Sequence, residues 1–164
     1  EWYMKLSRIN SRVILCTALG LSLISSVILF AAFAPSRVER VFFFPGAIDR
    51  QLEGEPRLVP RKENLEQKVK VFLEELTYGP ARIDRSRVVP RNVRTTSVMV
   101  RDGIVYADLS PRMLDEDSAV KLSVEESLSA IEYNLSWNFR ELDRVVITIG
   151  GELLRQQQPE THAR

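Results

Sequence analysis

Polar and apolar positions divide the chain near residue 34. From Val13 to Ala34 the sequence VILCTALGLSLISSVILFAAFA runs 22 residues without a charge. As a helix rising about 1.5 Å per residue it would span about 33 Å, the thickness of a bilayer's hydrocarbon core. Six apolar turns leave no polar face for solvent, so the run reads as a membrane-spanning anchor and not as a buried globular helix. Ala32-Phe33-Ala34 has the small-x-small form that a signal peptidase prefers. The run is nevertheless longer than the roughly 7 to 15 apolar residues of a secretory signal, and Pro35 follows the candidate site at once. We read a retained anchor.

Beyond residue 35 the pattern becomes mixed. RVERVFFFP, closed by Pro45 and Gly46, predicts a buried strand. A loop containing Gly46, Gly54 and Pro56 leads to a short strand candidate, PRLVPRK. Asn64 with Gln67 three residues on predicts a helix start, and Leu65, Val69, Phe72 and Leu76 fall on one helical face until Gly79-Pro80 stops it. TTSVMVRDGIVYADLS predicts a hairpin about an Asp102-Gly103 turn. Pairing Arg101 with Ile104 puts Val98, Val100, Val105, Ala107 and Leu109 on a core face, and Ser97, Met99, Arg101, Tyr106 and Asp108 on the other. Ser123 and Glu126 form a capping box ahead of a second helix carrying Val124, Leu128, Ile131 and Leu135 on one face. RVVITI then reads as a strand, Gly150-Gly151 as a turn, and ELLR as a brief return. The expected fold is α+β, two helices covering one face of a small antiparallel or mixed sheet.

Charge adds topology. Lys5, Arg8 and Arg12 precede the apolar run against Glu1 alone, while Arg37, Glu39 and Arg40 follow it, which places the amino terminus in the cytoplasm and the rest outside. Taking those three cations and one acid from the chain's 23 and 22 leaves 20 and 21, a net charge of −1 for the remainder. A near-neutral domain argues against nucleic-acid binding. Cys16 is the single cysteine, so no disulfide closes within the chain. Bulky Leu15 before it, and an apolar run after it, argue against lipidation.

Catalytic chemistry finds little support. The single His162 lies three residues from the end, so zinc sites of nitrogen and sulfur ligands and a Ser-His-Asp triad are not expected. Asp115, Glu116 and Asp117 lack the ligand spacing and sixth-position glycine of an EF-hand loop, and read as partners of the following helix dipole. Asp108, near a strand end, is the one carboxylate singled out for a hydrolase reading, which would use it with another carboxylate. No cofactor or metal is expected. Arg82, Arg85, Arg87, Arg91 and Arg94 crowd ARIDRSRVVPRNVR against Asp84 alone. Arginine suits carboxylates, phosphates and protein interfaces, so these five are interface candidates; a solvated loop paired with local Glu residues is the plainer account.

FLEELTYGP, VVPRNVRTTSVMVRDGIVYADLSPRML, SVEESLSAIEYNLSWNF and DRVVITIGGE occur in an order and spacing that resemble the GerM (GerMN) domain of bacterial sporulation and germination proteins, over roughly Arg40 to Glu152. Gly150-Gly151 stands where that family usually has Asp-Gly, and Trp137-Asn138-Phe139 replaces a more typical small or threonine-containing segment. The resemblance implies a non-enzymatic extracytoplasmic domain, similar in shape to the ring-building modules of secretion and sporulation channels, that contacts copies of itself or neighbouring envelope proteins. The expected organisation is a cytoplasmic amino terminus over 1–12, an anchor over 13–34, a linker over 35–39, a GerM-like domain over 40–152 and a polar tail over 153–164. Five extended linker residues reach at most about 18 Å, which keeps the domain against the inner membrane. The expected function is a scaffold in a sporulation channel or a flagellar or secretion-type ring; binding to cell-wall glycan is the alternative, and a carboxylate-based hydrolase the weaker one.

Overall fold

The computed structural model describes residues 11–33 and 36–153, so His162 and most of the expected polar tail lie outside the described residues. The apolar helix and the domain that begins at Arg37 are separate compact units. Helix α1, Ser11–Phe33, contains a stretch from Val13 to Ala31 long and apolar enough to cross a membrane, and none of that stretch is buried.

The domain orders its elements as β1 (Arg37–Pro45), β2 (Leu52–Pro60), α2 (Leu65–Tyr78), β3 (Thr95–Arg101), β4 (Ile104–Leu109), a 3-10 turn (Pro111–Leu114), α3 (Val124–Asn138) and β5 (Arg144–Ile149). It is α+β, as the sequence pattern predicts. The strands form two small sheets instead of one: an antiparallel β1–β2 ribbon, and a mixed sheet ordered β3-β4-β5 with β4 antiparallel to β3 and parallel to β5.

Local signals place most elements. The Asn64 side chain accepts from the Gln67 N–H at the start of α2, and Ser123 with Glu126 completes the reciprocal capping box of α3. Asp102 and Gly103 both take positive φ, and Arg101 pairs with Ile104, the geometry of a tight two-residue hairpin turn. Val105, Ala107 and Leu109 are buried, whereas Met99, Arg101 and Tyr106 are exposed. Ile149 bridges back to Glu152, and the remainder of ELLR lies outside the described residues.

The second strand differs from expectation, because it starts at Leu52 and takes in Gly54 and Pro56, which read as loop in the sequence. Both have a place in the pairing. Gly54 lies opposite Phe43, where a Cβ would come within 2.9 Å of Val41 Cγ1. Pro56 lies opposite Val41, whose N–H and C=O face away from β2, so the missing proline N–H leaves no ladder bond unmade.

What Val41 faces is α3. Asn138 accepts from Val41 N–H through Oδ1 at 3.1 Å and donates through Nδ2 to Val41 C=O at 2.7 Å. One helical turn earlier, Asn134 does the same for Phe43, at 2.8 and 2.9 Å. Two amide side chains at i and i+4 thus stand where a neighbouring strand would, and seal the free edge of β1. The run Phe42-Phe43-Phe44 is buried because both faces are covered. Phe42 stacks on Phe72 of α2, which meets Phe139 edge-on, while Phe43 on the reverse face meets Tyr133 and Trp137.

Asn134 is fully buried, so replacing it strands two backbone groups. Asn134→Ala is expected to cost about 3 kcal/mol in urea unfolding followed by tryptophan fluorescence. Asn138→Ala, at a half-buried position, is expected to cost about 1 kcal/mol.

Candidate interaction surface

The segment from Gly79 to Arg94 carries the five candidate arginines, and the structure puts them to different uses. Arg85 has only 6% of its side chain exposed; it donates to Glu53 Oε2 at 3.0 Å and to the Glu53 carbonyl at 3.1 Å, and its Nη1 lies 3.9 Å from Glu55 Oε2. Arg87 reaches back to the carboxyl end of α2, donating to the Tyr78 carbonyl at 2.7 Å, to the Thr77 carbonyl, and to Val89 C=O at 3.1 Å. Helix α2 has no basic residue in its last turn. Arg87 therefore supplies from outside the positive charge that a helix carboxyl end favours. Burial holds its guanidinium pKa below the usual value.

Arg85 and Arg87 are accordingly supports of the fold, and charge reversal at either reports on folding. Arg82, Arg91 and Arg94 remain exposed. Arg82 forms a two-bond pair with Asp84 at 2.6 and 2.9 Å, which holds that carboxyl below its ordinary range by hydrogen bonding to the charged form. Arg91 and Arg94 are fixed through their backbones, to Asp117 Oδ2 at 2.8 Å and to Ser110 Oγ at 3.1 Å.

The acidic cluster is structural at its third member. Asp117 also accepts from Ala119 N–H at 2.9 Å, and these two backbone donors hold its carboxyl below the usual carboxylate range. Among the described residues no group of His, Cys, Asp or Glu is arranged to hold a metal ion. Asp108 serves the end of the sheet: one oxygen, Oδ1, accepts from Thr148 Oγ1 at 2.7 Å and from Gly151 N–H at 2.8 Å, so it clamps β5 and the glycine turn beside it.

Three further groups carry contacts that hydrophobic periodicity does not encode. Glu55 is buried against Arg57, whose guanidinium also lies 5.3 Å from the centre of Phe42 and 5.1 Å from that of Phe44. Asn134 sits on the apolar face of α3, three residues after Ile131, and a polar residue there is a signal for a buried bond. Tyr133 and Trp137, one turn apart, stack at 6.2 Å with 42% and 50% exposure, and both stand edge-on to the Phe43 ring beneath, at 5.0 and 5.2 Å. They form a rigid, half-exposed aromatic patch.

Two substitutions test this segment. Gly79 has φ +86, and a Cβ there would lie 2.4 Å from Arg87 Nη1. Gly79→Ala is expected to cost about 2 kcal/mol in thermal unfolding, through strain and loss of the arginine cap. Asp117's depressed pKa means that its ionised form stabilises the fold above the ordinary carboxylate range, and that this contribution is lost as pH falls below about 4. Asp117→Asn should lower stability by about 1 kcal/mol at neutral pH and flatten the acid limb of a stability profile measured from pH 7 to 3.

The Germane family, described as "Sporulation and spore germination", matches residues 40–155. No curated protein matches the chain. Among solved structures, the tandem GerMN domains of the sporulation protein GerM from Bacillus subtilis superpose with a TM-score of 0.59 at 20% identity, over 76% of this chain and 43% of that one. The first GerMN domain of the same protein gives 0.55 at 20% identity, over 71% of this chain and 86% of that one. This chain thus spans less than half of the tandem structure, and the likeness is one of fold. With the family matched over most of the chain and the fold shared, the chain belongs to the Germane (GerMN) family of sporulation and spore-germination domains.

Proposed function

We propose that this is a non-catalytic scaffold: α1 anchors it in the cytoplasmic membrane with the amino terminus inside, and the Germane domain joins a large envelope assembly by lateral contacts with other proteins or with copies of itself. The observation that carries this reading is the Tyr133–Trp137 patch. Trp and Tyr are enriched at protein interfaces and dominate their energetics. Here they are pre-positioned by Phe43, so docking on them costs little side-chain entropy. The exposed Arg82, Arg91 and Arg94 are further polar candidates for such contacts. Asp108, with one oxygen committed to two structural bonds, speaks for a structural use of the carboxylate singled out for a hydrolase. Sporulation channels and flagellar or secretion-type rings are the assemblies that such a domain would suit.

The flat, half-exposed indole of Trp137 also favours a second reading, stacking on the sugar rings of cell-wall glycan.

Gentle detergent extraction of the tagged full chain, with native sizing and mass spectrometry of what accompanies it, tests the scaffold. A large stable complex supports it, and a clean monomer counts against it. Trp137→Ala is expected to weaken partner recovery by about thirtyfold in affinity, at a folding cost of about 1 kcal/mol. Full recovery from that variant would move the interface elsewhere. Sedimentation with purified cell wall tests the glycan reading: chain left entirely in the supernatant would remove it.

A further inference from the structure

Several cations of this domain are fastened to the fold. Arg57, Arg82, Arg85 and Arg112 lie against carboxylates, and Arg87 against helix carbonyls. In one region, cations outside any such pair converge. Arg40, Arg61, Lys62 and Lys68 line a cavity of about 230 Å³ with Val38, Val59 and Pro60 as its apolar part. None of the four is in an ion pair among the described residues.

The nearby acids are turned elsewhere or stay outside the cavity. Glu39 alternates with Val38 and Arg40 along β1 and so points to the opposite face of the ribbon. Glu66 accepts from the Val100 N–H at 3.3 Å, and Glu63 is exposed beside Lys62 without lining the cavity. Arg40 is held in place by its bond to Asn138 C=O at 2.6 Å and by the Phe139 ring, 4.7 Å from its guanidinium carbon. It is a fixed charge of the cavity wall; Arg61 and Lys62 are exposed charges beside it.

Covalent connectivity limits how far this pocket can lie from the apolar helix. It lies at the end of the ribbon where Arg37 pairs with Pro60, and Arg37 follows the last residue of α1, Phe33, by only four positions. Four residues of extended chain reach at most about 14 Å. We infer that this pocket binds the phosphate-bearing headgroup of an anionic phospholipid. Phosphate takes the cationic wall, and the apolar part formed by Val38, Val59 and Pro60 suits the glyceryl carbons next to it. Basic residues near an anionic membrane surface each raise affinity about fivefold, and the effect decays within about 10 Å at ordinary salt. The inference rests on the anchored reading of α1 and adds to it a preferred lipid.

The test uses the full chain in nanodiscs of phosphatidylcholine alone or of phosphatidylcholine with phosphatidylglycerol, and reads lysine acetylation residue by residue. Lys62 and Lys68 are expected to react about fivefold more slowly, or slower still, in the anionic discs, with the exposed Lys70 and Lys121 as unchanged controls. Arg61→Ser should restore part of the reactivity at Lys62. Equal reactivity of Lys62 and Lys68 in both discs overturns the inference. The same protection in neutral discs on adding inorganic phosphate overturns the lipid assignment and gives the pocket to a free anion. A chain that elutes apart from the discs removes the anchored reading and this inference with it, whereas an incorporated chain with unprotected lysines removes this inference alone.

Discussion

The backbone of β1 must find partners on both sides, and β2 provides only one. The other side is filled by Asn134 and Asn138, whose amides return a donor and an acceptor to each of Phe43 and Val41. Leaving those groups buried and unmatched would cost on the order of 1–3 kcal/mol each, so the position of α3 along β1 is fixed in register as well as in contact. Because α3 also packs against β5, the same helix joins the two-stranded ribbon to the three-stranded sheet. Phe42, Phe72 and Phe139 complete the joint on the core side. The aromatic patch at Tyr133 and Trp137 is a by-product of this register: the turns that present two asparagines to the strand edge present two aromatics to the ring of Phe43.

Local rules made much of this legible in the amino-acid sequence. Caps at Asn64 and Ser123, the Asp102-Gly103 turn and the alternation through Val98 to Leu109 each depend on neighbours within a few residues, and they hold in the structure. The motifs over Arg40 to Glu152 likewise led to the family that matches there. The split into two sheets was not legible, because it depends on α3 occupying the edge of β1 about ninety residues away, through amide geometry that periodicity does not encode. Gly54 and Pro56 misled for a related reason. Each has a strand role only once its partner, Phe43 or Val41, is known.

The arginines show the same limit. Their crowding was visible, but Arg85 and Arg87 are distinguished from Arg82, Arg91 and Arg94 by what stands opposite them: Glu53 and Glu55 on the ribbon, and the last carbonyls of α2. The cations without such opposites, at Arg61, Lys62 and Lys68, lie in a part of the sequence that drew no notice for charge. Electrostatics in this domain thus includes inward-facing guanidinium groups at Arg57, Arg85 and Arg87 that fasten the fold, and a basic set gathered at one end of the ribbon.

The asparagine seal has a consequence for biogenesis. Phe43 is separated from Asn134 by 91 residues. At roughly 5 to 20 residues per second, the Val41–Phe44 segment waits on the order of ten seconds after it is made before its sealing helix exists. During that interval an aromatic, β-prone strand has an unpaired edge, the condition under which nascent chains pair with one another. The amino-terminal half of the domain is thus dependent on its carboxyl-terminal helix for solubility during synthesis, and a chain truncated before residue 134 would keep that edge open for its whole lifetime.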